Sequence, residues 1–395
     1  MHEKYYIKLY DTPLIEFEMY HNEYKETKVR VLDENVRLKH LFPTEFLLCG
    51  KNDCDRALEN FLTSRTIPKG RKYAAELLES LGLRSGDIKG IIDIGKGLSL
   101  NDCYSVLPIA SFEKFSQINL FDNDFPYMTA LIAYTGTAGR AERSPSPELS
   151  ANGMLHKAWT RNEKGRICLM KGASEKLPGG IGGKEPYSEY LCSQIAEQME
   201  LFFVSYSLKK WHGEVASSCE LFCSRDISFV PYSKYGKDNR FSELCEHYMQ
   251  FDPHLIDDLR SMLLFDSVIC NVDRHSGNFG FLRNNSTGEI FASAPVFDNG
   301  MSVINFTDTD YEGKSRGLAP AQEPLTFDEL ASYSLQEKQT AQLEKLRDLR
   351  LHNDDSLPFD DKSLSRLQLF IRSRAERFLD SSIRYTHFNK TNKGR

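Results

Sequence analysis

The segment FDSVICNVDRHSGNFGFLRN, residues 265–284, constrains the fold more tightly than any other stretch of the chain. Its apolar positions suit a protein core, yet Asn271, Asp273, Arg274, His275 and Asn278 crowd into eight consecutive residues. Burying a carboxylate, a guanidinium and an imidazole together costs several kcal/mol per ion unless partners or ligands offset it. The flanking chain therefore has to supply those partners. Upstream, Asp252 and Pro253 are expected as N-cap and first residue of a helix, with Leu255, Leu259, Met262 and Ile269 carrying it towards Asn271. Downstream, NFGFLRN, a turn at NNSTG and then EIFASAPVFD read as a β-hairpin. Because the second strand returns antiparallel, its far end brings Asp298 back to the neighbourhood of Asn278. Asp273, Asn278 and Asp298 then converge from a loop and two strand ends.

Elsewhere the pattern divides the chain. At 395 residues, two or three domains are expected. Alternation in LIEFEMY and TKVRVLD marks strands opening the chain, and CDRALENFLTSR and GRKYAAELLESLGL mark helices after Asp53. Residues 136–153, GTAGRAERSPSPELSANG, are poor in large apolar groups and read as a flexible loop or a joint near position 140. LHKAWT and GRICLMKGA flank the turn RNEKG as a hairpin. YSEYLCSQIAEQMELFFV follows as a helix with Leu191, Ile195, Met199 and Phe202 on one face. Further strands are expected at CELFCS and ISFVPYS, and an almost wholly helical region from Pro324, ending in a helix from about Ser363. The expected class is α+β with two lobes: an N-terminal segment (1–139) of unassigned role, a β-rich nucleotide-binding lobe (140–225) and a helical catalytic lobe (226–395).

Phosphoryl transfer from ATP needs one carboxylate to orient and deprotonate the attacking hydroxyl, and an amide plus a second carboxylate to hold Mg²⁺ against the phosphates. The run from Asp273 to Asn278 has the protein-kinase D-x-x-x-x-N spacing, and Asp298 in APVFDNG supplies the second carboxylate. Arg274 and His275 follow the Asp, where common protein kinases place such residues before it. A strand lysine must also grip phosphate: Lys171 ends RICLMK, and the next helix offers Glu189, or Glu185, as its carboxylate partner. SPELSANGMLHK would cover the phosphates, with Gly153 allowing close backbone approach and Lys157 adding charge.

In SANGMLHK, CLMKG, SEYLCSQIA, NVDRHSGNFG and APVFDNG the chain resembles the HipA-like bacterial kinases, whose founding member is the toxin of a persistence-linked toxin–antitoxin pair. The resemblance implies a kinase-like fold and a serine/threonine protein kinase using ATP and Mg²⁺. It implies Asp273 as catalytic base, with Lys171 and His275 in the catalytic set, and Asn278 and Asp298 as metal ligands. Asn152, Gly153, Met154 and Lys157 would line the nucleotide loop, with Glu189 and His275 also lining the nucleotide site. Leu221, Phe222 and Cys223 would form the hinge that holds adenine. Ser150 stands where the toxin's loop is autophosphorylated. The N-terminal 140 residues do not resemble the toxin's first domain, so an antitoxin or other regulatory partner is open, and the protein substrate is unnamed. DRHSGN is also similar to the catalytic loop of phosphoinositide kinases, which keeps a lipid substrate as an alternative. An ATP-binding interaction protein without turnover is another.

A net charge of −6 argues against a surface built for nucleic acid, leaving at most an indirect role there or the reading of a DNA-bound regulator. No apolar run approaches the ~20 residues of a membrane span, and the N-terminus lacks a signal-peptide core, so a cytoplasmic protein is expected, with export as an effector open. The nine scattered cysteines, without a CxxC, read as reduced core residues. GGIGGK, residues 179–184, lacks phosphate-loop spacing and reads as a plain loop. His212, His247 and His254 lack metal-ligand spacing, and NKTNKGR reads as a frayed terminus.

Overall fold

A computed structural model describes residues 2–23, 26–50, 53–177, 182–236, 240–321 and 324–392. The chain is mixed α/β, with a β-rich N-terminal region and a helical C-terminal part. It forms two compact units that interleave along the sequence: Met1–Lys171 with Glu220–Val230 and Phe281–Phe291, and Gly172–Cys219 with Pro231–Gly280 and Ala292–Arg395.

In the first unit, the strands Glu3–Leu9, Thr12–His21 and Thr27–Glu34 form the expected opening sheet. A strand the periodicity misses, Tyr104–Pro108, completes it in the order third, second, first, fourth, all antiparallel. Alternation does what it should: Tyr5, Ile7 and Leu9 point into a core shared with Leu58, Phe61 and Leu62 of the helix Cys54–Thr63. The stretch 136–153 is not the loose joint its composition suggests. Ser146, Glu148, Leu149 and Ser150 are buried, because buried Arg71 grips the stretch. Its guanidinium donates to the Glu148 carboxylate at 2.8 Å, to the Glu148 carbonyl at 3.1 Å and to the Lys157 carbonyl at 2.7 Å. The hairpin Lys157–Arg161 and Ile167–Lys171 then forms as expected, with Lys157 directly opposite Lys171. A three-stranded sheet of Ile227–Pro231, Gly280–Asn284 and Ile290–Ser293 ties late sequence to early. Buried Arg283 donates to the carbonyls of His40, Phe42 and Gly288 and to the Tyr104 hydroxyl.

The second unit is built round the helix Leu255–Ile269, buried almost all round and packed by the helices Phe241–Phe251, Phe327–Ser334 and Glu337–Glu344. The C-terminal helix runs Asp361–Asn392, so the expected fray at NKTNKGR begins no earlier than Asn392, and 393–395 lie outside the described residues. Four expectations need correcting here. The helix after the first hairpin spans only Glu185–Gln198. Glu200 takes a left-handed φ of 53°, and the Glu200 and Leu201 N–H groups bond back to the Glu197 and Ala196 carbonyls, which closes the helix and leaves Phe202 61% exposed. Asp252 and Pro253 do not open a helix. Asp252 ends the unanticipated Phe241–Phe251 helix and accepts from the His254 N–H at 2.9 Å, and the next helix starts at Leu255. CELFCS holds only the end of the strand Glu214–Glu220, whose hairpin partner Tyr206–Trp211 is also unanticipated. The second strand of the later hairpin stops at Ser293, although the Ala294 N–H still bonds the Gly280 carbonyl at 2.8 Å and Val296 bridges to Phe203.

GGIGGK falls partly, at 179–181, outside the described residues. Among the described residues no helix is long and apolar enough to cross a membrane.

Candidate active site

The helix Leu255–Ile269 delivers the chain to Cys270, whose left-handed φ of 52° turns it sharply into the polar loop. Within that loop, the side chain of Asn271 accepts the Asp273 N–H at 3.1 Å, and the His275 N–H bonds the Asp273 carbonyl at 2.8 Å. Asp273 is thereby held with its side chain exposed, while Asn271, Arg274 and Asn278 are buried. The Asn278 amide donates to the Asp273 carbonyl at 3.3 Å, which directs its oxygen elsewhere. His275 accepts the Gly277 N–H on Nδ1 at 3.1 Å, so this ring shapes the loop. A Cβ on Gly277 would stand 2.9 Å from the ring, too close for any larger residue without a shift.

Arg274 organises the rest. Its Nε and one terminal nitrogen make a two-pronged contact with Asp266, at 2.9 Å each, and the same terminal nitrogen donates to Asn299 at 2.6 Å. The other terminal nitrogen donates to the carbonyls of Asn278, at 3.2 Å, and Phe297. All five guanidinium donors are thus used, and the bonds to Asn278 and Phe297 join the two strand ends. Arg274, whose role the spacing does not disclose, thus ties the loop of Asp273 and Asn278 to the chain leading into Asp298. Its signal is Asp266, a carboxylate within the buried run 261–269 of the helix, where it needs a cation.

Asp298 sits at φ 57°, a left-handed conformation rare for a non-glycine residue and one the surroundings must hold. Its N–H donates to the Tyr206 hydroxyl at 3.2 Å, and the next N–H, of Asn299, donates to Glu189 at 2.7 Å. Burial first, then the negative charge of Glu189, raises the Tyr206 phenol well above 10, so it remains a neutral partner for Asp298. Glu189 is fully buried, and Ser188 beside it bonds the Asn299 carbonyl at 2.7 Å. Tyr206 and Asn299 are not marked as site residues by the sequence pattern.

The remaining candidates lie in the first unit. Lys171 ends its strand opposite Lys157, whose ammonium donates to the Asn152 carbonyl at 2.5 Å. Gly153 has φ 90°, and a Cβ there would run into the Lys157 ammonium, so the loop needs glycine at this point. Met154 is exposed, and its carbonyl takes the Lys72 N–H at 2.9 Å. The Leu221 N–H bonds the Ile167 carbonyl at 2.9 Å, Phe222 stacks edge-on against Phe229, and Cys223 is buried. Asp273, His275, Asn278, Asp298 and Glu189 belong to the second unit.

Asn278 and Asp298 offer hard oxygen donors of the kind Mg²⁺ takes one or two at a time while keeping its waters. Among the described residues no three His, Cys, Asp or Glu side chains gather as a metal cage, and a Mg²⁺ site completed by phosphate needs none.

Over 97% of this chain and 99% of the other, the structure matches HipA of the Shewanella oneidensis MR-1 toxin–antitoxin system, solved with HipB and operator DNA, at a TM-score of 0.53 and 14% identity. The fold is HipA-like. In sequence, this HipA-like chain is 26% identical over 138 residues to the serine/threonine-protein kinase CtkA of Helicobacter pylori strain J99. That match covers 31% of this chain and 42% of the length of CtkA. No family model matches the chain.

Proposed function

We propose that this chain is an ATP- and Mg²⁺-dependent kinase that transfers the γ-phosphoryl group to a serine or threonine hydroxyl of a protein. The observation that supports the reading is the fastening of the Asn278 and Phe297 backbones to one buried arginine, which ties the loop of the exposed Asp273 to the chain leading into Asp298. Asp273 orients and deprotonates the hydroxyl. Asn278 and Asp298 hold the metal, which when bound shields the charge of the phosphates. Lys171 and Lys157 neutralise phosphate charge, residues 152–154 line the nucleotide loop, and Leu221, Phe222 and Cys223 meet the adenine. Glu189 steadies the Asp298–Asn299 turn. His275 keeps the loop in shape and lies beside phosphate. The proposed functional division is a nucleotide lobe from 140–225 and a catalytic lobe from 226–395, with the cytoplasm as the place of action and a small regulatory or antitoxin-like protein as partner.

Incubation with labelled ATP and Mg²⁺ tests this. Asp273→Asn should lower phosphoryl transfer about 10²- to 10⁴-fold, the usual share of a general base. Equal labelling in wild type and variant would overturn the mechanism. Ser150 is the proposed site of self-modification. Its hydroxyl is buried and donates to the Leu98 carbonyl at 2.8 Å, so phosphorylation there requires the stretch to lift away. Phosphopeptide mapping after ATP treatment decides whether it is modified.

A further inference from the structure

Two cysteines depart from the expected reduced core. Cys49 ends the helix Thr44–Leu48, Cys54 begins the helix Cys54–Thr63, and both are partly open to solvent. Their sulfurs stand 3.8 Å apart. The Asp53 N–H bonds the Gly50 carbonyl at 3.0 Å, which holds the two helix ends close together. The five cysteines 103, 168, 192, 223 and 270 are buried.

From this geometry we infer that Cys49 and Cys54 are a reversible modification site, a dithiol that closes to an intrachain disulfide when the protein meets a peroxide. The reaction balances in two steps. The Cys49 thiolate attacks one peroxide oxygen, the O–O bond breaks, and a sulfenic acid forms as hydroxide leaves and takes a proton to become water. Cys54 sulfur then attacks the Cys49 sulfur, the S–O bond breaks, and a second water leaves with the thiol proton. Both thiols are oxidised and one hydrogen peroxide is reduced to two waters. Burial, then the neighbouring Cys49 and Glu34, push the Cys54 thiol up to about 12, which leaves the first attack on peroxide to Cys49. The site sits at a corner of the N-terminal sheet, where Asp55, next to Cys54, accepts the Val31 N–H of the edge strand at 2.7 Å.

The test uses the full chain, reduced and then freed of reductant. It is treated with hydrogen peroxide at near-equal concentration, alkylated with iodoacetamide and digested with trypsin, which cuts after Lys51 between the two cysteines. The expected product is the Cys49 peptide joined to the Cys54 peptide, with two thiols lost per chain and both recovered by dithiothreitol. In Cys54→Ser, peroxide should leave Cys49 as a sulfenic acid trapped by dimedone, with no intrachain link. Alkylation of both cysteines after peroxide, or their separate oxidation to sulfinic acids in the wild-type chain, would overturn the assignment. So would dimedone labelling of Cys54→Ser at other cysteines instead of Cys49.

Discussion

Arg274 spends every donor it has, on one carboxylate, one side-chain amide oxygen and two carbonyls, inside the protein. Replacing it with Met leaves Asp266 as a buried charge without its cation and releases both strand ends. Urea unfolding should show a loss of about 3–5 kcal/mol, with labelling activity lost as well. Tyr206 works differently, since its ring packs while its hydroxyl alone touches Asp298. Tyr206→Phe should unfold within about 1.5 kcal/mol of wild type yet need several-fold more Mg²⁺ for half-maximal labelling. A proportional fall in stability and activity, with the Mg²⁺ requirement unchanged, would count against Tyr206 as the residue positioning Asp298. At this scale, legibility followed locality. Asp273 and Asn278 announce themselves by a fixed spacing within one loop, and Asp298 by a hairpin that any alternating pattern would suggest. Tyr206 and Asn299 act through contacts between distant segments, which no spacing encodes.

Among the elements, the ends proved harder to read than the middles. Apolar periodicity found the helices near 54 and 185 and the long one ending near 269, but Glu200 stops a helix with a left-handed turn that sequence reserves for glycine. Asp252–Pro253 has the form of a helix start and is instead the joint between two helices. The helix Phe327–Ser334 shows a reciprocal cap, in which the Thr326 hydroxyl accepts the Glu329 N–H and Glu329 accepts the Thr326 N–H. Those bonds, the backbone one foremost, hold the Glu329 carboxyl below its ordinary 4.5, and the Ser363 N–H likewise holds Asp360 below 3.8. A carboxyl with a depressed folded pKa contributes stability above its unfolded pKa and loses it as pH falls through the folded one. The urea midpoint should therefore drop between about pH 5 and pH 3, and the double variant Thr326→Val, Ser363→Ala should show a shallower drop from a lower starting point.

For the molecule as a whole, the periodicity of each segment reports which face is buried and says nothing of its partner. That is why the two-lobed α+β class could be read while the interleaving of the units could not. Arg283, late in the chain, satisfies its guanidinium on residues 40, 42 and 104, and Asn285 bonds the Arg225 carbonyl at 2.8 Å. A fragment starting at residue 140 would strand these groups in a unit missing its first sheet. It should express as aggregate, whereas full-length protein should give one gel-filtration peak. A soluble, ATP-labelling 140–395 fragment would show that the first sheet is dispensable.

The interleaving also sets an order of events during synthesis. Lys171 and Phe281 are 110 positions apart, so the opening sheet leaves the ribosome well before the strand that carries Arg283. At ~5–20 residues per second, that is a wait of roughly 5–20 s, during which residues 40, 42 and 104 lack their late partner. A nascent chain of this kind would be exposed to chaperones and proteases over that interval, and its yield in a cell would depend on translation speed between the two segments.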